Sequence, residues 1–251
     1  SAIVTVSPPS LAANGIVLPG SAPSRTVEEF RAIKRHIGTN NLRPQNPSVA
    51  NGSAIGRVVL ITSARPGEGK TFTAINLALA LAYEKDTRVL LMDGDAYRQS
   101  LLAYLGISAQ GGWLDIVSSA PALAREFTLQ TNVPNFSILP AGAKRAEIPE
   151  LMASRHMRDL LNTLVQEDLN RYVIIDSLPC LASTEPAILA ALAAQTIFVV
   201  AAHQTSRDEI ESSLRLLSAS PSVNLILNKA KPVLTEQFAG YGYGYAGGYG
   251  P

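Results

Sequence analysis

The sequence has a single cysteine, Cys180, among its 251 residues, which rules out an internal disulfide and fits a reducing compartment such as the cytosol. Its three histidines, His36, His156 and His203, lie far apart and show no metal-ligand spacing. No apolar run reaches the ~20 residues that a membrane-spanning helix requires. The longest candidate, residues 188–202, is interrupted by Gln195 and Thr196 and divides into a helix followed by a strand. Charge of either sign is not in excess: the formal net charge is +1, so no global field draws nucleic acid or anionic lipid. No nucleic-acid partner is therefore expected, and any attachment to a membrane comes through another protein. The nucleophile elbow G-x-S-x-G, an internal repeat and a signal peptide are also missing. The chain does not open on methionine, which suggests an excised domain or a trimmed chain.

What is present begins with residues 57–78, RVVLITSARPGEGKTFTAINLA. Arg57-Val58-Val59-Leu60-Ile61-Thr62 has the β-branched, apolar composition of a buried parallel strand. Ala64-Arg65-Pro66-Gly67-Glu68-Gly69-Lys70-Thr71 follows directly, and residues 73–83 then place small and apolar residues at helical spacing. Strand, glycine-rich loop and helix are the context of a phosphate-binding loop. Gly67 and Gly69 let backbone N–H groups close on an anion, and the helix N-terminus adds partial positive charge at the same point. Lys70 reaches β- and γ-phosphates and the Thr71 hydroxyl binds Mg²⁺. The nucleotide-binding set is thus Pro66, Gly67, Glu68, Gly69, Lys70, Thr71 and Phe72. The first glycine of G-x-x-x-x-G-K-[ST] is Ala64 here, acceptable if that residue keeps φ below zero. The bland reading of the loop is a glycine-rich turn that only enters a helix.

Around this centre, residues 1–25 are rich in Ser, Pro, Ala and Gly and read as a flexible segment. Residues 26–38 read as a helix, with Thr26 as its N-cap and Val27, Phe30, Ile33 and Ile37 on one face. Glu28, Arg31 and Lys34 recur on another face, either as a solvated stripe with local ion pairs or as a subunit contact. Residues 39–56 form a linker. From residue 57, strands at 87–92, 136–140, 171–176, 196–201 and 223–227 alternate with helices at 100–105, 150–167, 187–194 and 207–218. Residues 111–117 read as a turn into a further helix. Such alternation predicts an α/β fold: a doubly wound, mostly parallel sheet of the P-loop NTPase type over residues 57–234.

Asp93, Asp95 and Asp176 each fall at the carboxyl end of a predicted strand, the edge where open α/β sheets bind ligands. Turnover of a nucleoside triphosphate such as ATP needs Mg²⁺ held near carboxylates. Asp176, after Val173-Ile174-Ile175, fits the Walker B acid. Asp93 and Asp95 either supply a metal contact and a base for a hydroxyl nucleophile, or simply form a turn with Gly94. Residues 235–251 change character to Gly and Tyr, with Tyr241, Tyr243, Tyr245 and Tyr249 among the last eleven residues. That segment cannot bury a core. It is either a sticky low-complexity tail or a set of exposed phenols that enter an active site one at a time.

Together these parts resemble the bacterial tyrosine kinases (BY-kinases) of polysaccharide export, in particular the exosortase-associated autokinases. The resemblance covers residues 26–251 and rests on ARPGEGKT, TAINLA, VLLMDGD, YVIIDSLP and the tyrosine-rich end. It implies autophosphorylation of Tyr241, Tyr243, Tyr245 and Tyr249 between subunits, with ATP and Mg²⁺. It implies Lys70, Asp93, Asp95 and Asp176 as catalytic residues and Thr71, Asp93 and Asp176 around the metal, with Asp93 helping to deprotonate tyrosine. Asn228 resembles an adenine-contacting asparagine. Glu28, Arg31 and Lys34 resemble the E-x-x-R-x-x-R oligomerisation helix, which implies a homo-oligomer such as a ring. The implied partners are a membrane-bound polysaccharide co-polymerase as activator and a tyrosine phosphatase, with the kinase cytoplasmic and peripheral to the inner membrane. The family's second motif is D-x-D-x-R; here Tyr97 holds the Arg position and Arg98 follows. The loop is also similar to that of the deviant Walker ATPases that position septa and chromosomes, whose extra lysine falls at Arg65. A nucleotide-binding module without catalysis is the third class.

Overall fold

A computed structural model of the chain describes residues 3–18, 24–41, 55–119, 124–143 and 147–231. The tail tyrosines, and residues 42–54 of the expected linker, lie outside the described residues. In chain order the elements are β1 (Ile3–Val4), α1 (Pro8–Ala13), α2 (Arg25–Asn41), β2 (Ile55–Ser63), α3 (Lys70–Ala82), β3 (Arg88–Asp93) and α4 (Ser100–Leu105). Then follow α5 (Trp113–Ser119), α6 (Ala124–Phe127), β4 (Leu129–Thr131), β5 (Phe136–Leu139), α7 (Ile148–Ala153) and α8 (Arg155–Gln166). The last are β6 (Arg171–Asp176), α9 (Glu185–Leu192), β7 (Ala193–Ala201), α10 (Arg207–Leu216) and β8 (Val223–Asn228).

The strands form one sheet in the order β1-β4-β5-β3-β6-β2-β7-β8. Every pairing is parallel except β4 with β5. Side chains of a strand alternate between its two faces. The apolar runs therefore feed two cores at once: Val58 and Leu60 enter one, and Val59 and Ile61 the other. β3 and β6 divide in the same way, with Leu90, Met92, Val173 and Ile175 on one face and Val89, Leu91 and Ile174 on the opposite one. Helices α5, α7, α8 and α9 contribute to the first core, and α1 to α4 contribute to the second. This is the doubly wound arrangement that continuous apolar strands require, because both faces must be covered.

Three sequence expectations give way to a different local structure. Residues 3–18 are not a loose lead. β1 extends the sheet beside β4, Val6 donates its N–H to Asn132 Oδ1 at 2.8 Å, and Val6, Leu11 and Ile16 are buried. Pro8 and Pro9, which read as disorder, occupy the first turn of α1, where a missing N–H costs nothing. Helix α2 begins at Arg25 and runs to Asn41, and the Val27 N–H is capped by the Ser24 hydroxyl at 3.3 Å, so Ser24 rather than Thr26 opens it. The single helix expected over residues 150–167 is two. Ser154 turns extended (ψ 159°), and its hydroxyl accepts from Met157 N–H, capping α8 where α7 stops.

Candidate functional site

The phosphate loop joins β2 to α3, as the sequence required. Gly67 and Gly69 have φ of 82° and 101°, the left-handed region open to glycine. At Gly69 a Cβ would also collide with the Asn228 side-chain amide. Ala64 is buried and is not among the positive-φ residues, so it replaces the first glycine of the motif without strain.

A cleft of about 590 Å³ opens at the carboxyl ends of the central strands. Of the expected site residues, Pro66, Gly67, Gly69, Lys70, Thr71, Phe72 and Asp95 line it. Glu68 does not. Its side chain is turned into the protein, where it accepts from the Arg65 backbone N–H at 2.7 Å and from the Thr205 hydroxyl. Asn228 sits against the same loop and donates its amide to Glu68 O at 2.9 Å. It lines a second cavity, between α2 and β8, which meets the cleft at Phe72. Phe72 in turn packs edge-on against Phe30 of α2, with ring centroids 6.0 Å apart.

Asp93 and Asp176 lie beneath the cleft rather than on its wall, both buried. They are register partners at the ends of β3 and β6. Gly94 makes this possible: its N–H bonds Asp176 O at 2.7 Å, and a Cβ there would press on the same carbonyl at 2.8 Å. The Asp-Gly-Asp segment is therefore a close crossing of two strand ends. Trp113, fully buried, fixes it from below by donating Nε1–H to Asp93 O at 2.7 Å. Burial, and then the neighbouring Asp176, push the Asp93 pKa up from 3.8 to about 8. Burial also raises Asp176, to about 7, against the opposing pull of the Thr71 hydroxyl bond and the Lys70 charge. Lys70 is lowered, first by burial and then by Arg98, while Asp176, Asp95 and Glu68 act in the other direction.

Asp93 Oδ2 and Asp176 Oδ1 are buried with no hydrogen-bond partner. Two orphaned carboxylate oxygens beside a threonine hydroxyl and a lysine fit a hard divalent cation. Among the described residues no three acidic, histidine or cysteine side chains form a ready-made metal group, so nucleotide phosphates and water would complete its shell.

A family profile described as the AAA domain matches residues 56–225. The chain belongs to the AAA-domain family. Tyrosine-protein kinase ptk of Acinetobacter johnsonii is 31% identical over 196 residues, 76% of this chain but 26% of that protein. Tyrosine-protein kinase CpsD of Streptococcus agalactiae is 27% identical over 229 residues, 89% of this chain and 90% of the relative. The chain thus spans about a quarter of ptk and nearly the whole of CpsD. Among solved structures, the kinase domain of the Escherichia coli tyrosine kinase ETK superposes with a TM-score of 0.73 over 97% of this chain and 99% of that one. At 20% identity it shows the P-loop fold alone. The expected fold class and the resemblance to bacterial tyrosine-kinase domains are both borne out.

The polar environment beyond the motifs was not legible in the sequence. Tyr97 and Arg98 line the cleft, and Tyr97 donates its hydroxyl to Glu185 Oε1 at 2.7 Å. Arg65 is exposed and pairs with Glu209, away from the cleft. Of the helix residues singled out, Arg31 pairs with Glu28 within α2, while Lys34, largely covered, pairs with Glu84. No helix of the described residues is long and apolar enough to cross a membrane.

Proposed function

We propose that this chain is a protein-tyrosine autokinase that transfers the γ-phosphoryl group of ATP to its own C-terminal tyrosines, chiefly between subunits. The observation that carries this reading is the acidic pair beneath the phosphate loop, Asp93 and Asp176, with its two unpaired oxygens. The phosphate loop and Lys70 hold the triphosphate. Thr71 and Asp176, with Asp93 alongside, would hold Mg²⁺, which would supply positive charge against the triphosphate. Asp93 accepts the phenol proton as the tyrosine oxygen bonds to the γ-phosphorus and the bond to the β–γ bridging oxygen breaks, releasing ADP. Tyrosine, with an unperturbed pKa of about 10, needs such a base at pH 7. Asp95 faces the cleft and Asn228 braces the loop on the adenine side.

Tyr241, Tyr243, Tyr245 and Tyr249 are the proposed acceptors. The twenty residues beyond Lys231 could span up to about 70 Å if extended, enough to reach a neighbouring subunit. The names of the relatives support tyrosine as the acceptor class. Exopolysaccharide synthesis and export, a membrane-bound co-polymerase activator, a tyrosine phosphatase and a position peripheral to the inner membrane are the setting proposed with it. Self-association, as a ring, is assigned to Glu28, Arg31 and Lys34 of α2. A monomer at high protein concentration, or an Arg31→Ala chain of unchanged assembly size, would count against that assignment.

The test is a mixing experiment. A Lys70→Met chain is incubated with Mg·ATP and a wild-type chain lacking residues 235–251. Phosphotyrosine on the Lys70→Met chain is the expected result. ATP hydrolysis with no phosphotyrosine would favour the partitioning-type ATPase, and nucleotide binding without turnover a regulatory module.

A further inference from the structure

The loop after β3 carries a contact that phosphate binding does not explain. Tyr97 lines the cleft and is 41% exposed, yet its hydroxyl is committed to Glu185 Oε1 at 2.7 Å. Glu185 is 3% exposed and stands in the first turn of α9. Its other oxygen accepts from the Ser183 hydroxyl. A buried carboxylate is costly unless its oxygens are hydrogen-bonded, and here each has a hydroxyl donor. The helix N-terminus adds a favourable dipole.

The bond joins the two loops that carry the acidic residues. Tyr97 belongs to the loop that follows Asp93 and contains Asp95, and Glu185 opens α9 at the end of the connection that follows Asp176. On the Tyr97 side the backbone is closed into a turn: Arg98 N–H donates to Asp95 Oδ1 at 3.0 Å and Gln99 N–H to Asp95 O at 2.9 Å. The Gln99 side chain ties the end of that turn to Gly142 O at 2.7 Å. That turn sets the Tyr97 backbone beside Asp95 and Arg98, so the bond to Glu185 anchors the turn that carries all three residues to α9. Asp95 and Arg98 both line the cleft, and the charges of both are felt at Lys70.

We propose that Tyr97 and Glu185 are a positioning pair, a clamp across the two strand-end loops that holds Asp95 and Arg98 toward the phosphates of the bound nucleotide. The phenol takes the buried carboxylate and leaves the guanidinium of the next residue in the cleft. Only the identity of the transferred group rests on the kinase reading above.

The clamp predicts a particular pattern of loss and rescue. Tyr97→Phe keeps the ring and removes the bond. Tyr97→Arg supplies a guanidinium that can bond the same carboxylate with charge assistance. Two readouts are followed: steady-state turnover of Mg·ATP, and amide hydrogen exchange over residues 95–99 without nucleotide. For Tyr97→Phe, kcat falls about tenfold with KM for ATP within about twofold, and exchange at 95–99 speeds up. Tyr97→Arg returns both readouts close to wild type, and does not do so when combined with Glu185→Ala. Wild-type kcat and exchange in Tyr97→Phe, or no gain on going from Phe to Arg, would overturn the proposal. If the wild-type chain turns over ATP without labelling tyrosine, the kinase reading fails while the same kinetics still judge the clamp. If it does not turn over ATP at all, the exchange pattern decides.

Discussion

Asp93 and Asp176 face each other as register partners at the ends of two adjacent parallel strands, and each keeps one buried carboxylate oxygen without a partner. Two buried carboxyl groups at one point resist double ionisation, so in the absence of a cation the pair retains a proton near neutrality. A divalent ion held by these carboxylates would displace that proton.

The pH dependence has a definite sign. The folded-state values, about 8 for Asp93 and about 7 for Asp176, lie above the ordinary 3.8. Groups raised in this way contribute stability that is full below the unfolded pKa and lost as pH rises through the folded one. Thermal stability without nucleotide is therefore expected to fall between pH 5 and 8.5. Asp93→Asn removes the Asp93 share of that slope and leaves the share of Asp176, which its own burial raises. Binding of Mg·ADP at pH 7 releases protons, read by calorimetry in buffers of different ionisation enthalpy. An Asp93→Asn chain with the wild-type slope would contradict this account.

Gly94→Ala tests the strand crossing itself. The added methyl would lie 2.8 Å from both Asp176 O and Ile175 Cγ2. The ends of β3 and β6 must part, at a cost of about 1–3 kcal/mol by the usual penalty for overpacking. Urea unfolding measures it, and nucleotide affinity should fall with it. A change within about 0.5 kcal/mol, the range of ordinary surface substitutions, would mean that the crossing yields easily.

Lys70→Met separates function from stability. Burial already disfavours the Lys70 charge, as its lowered pKa records. Methionine has a similar reach and no charge to desolvate. The variant is expected to lose nucleotide affinity by at least about tenfold, the cost of a charged hydrogen bond, while its melting temperature without nucleotide equals or exceeds that of wild type. A strongly destabilised Lys70→Met chain would show that the lysine holds the fold together.

The parts legible in the sequence are those whose signal is local. Val58 to Ile61 and Val173 to Ile175 are continuous apolar runs because helices cover both faces of their strands, and the loop between β2 and α3 carries its glycines where the backbone turns left-handed. Residues 3–18 carry no local signal of order, because Val6, Leu11 and Ile16 follow no helical or strand period and each is buried by a distant part of the chain. Ser154 looked like one more polar residue in a helix, and only its cap geometry shows the break. Glu68 lay inside the motif, yet its side chain answers to Thr205, 137 positions away. Tyr97 and Glu185 are 88 positions apart and meet only once β3 and β6 are paired. The sequence flags Tyr97 as a departure from a motif but cannot name what replaces the arginine.

The most direct measurement of the central claim is one incubation of the intact chain with Mg·ATP, followed by mass analysis of its peptides. The account predicts phosphate on tyrosines within residues 241–249 in the wild-type chain, and none in Asp93→Asn or Lys70→Met incubated alone. ATP consumed by the wild-type chain, with every tail tyrosine unmodified, would contradict it.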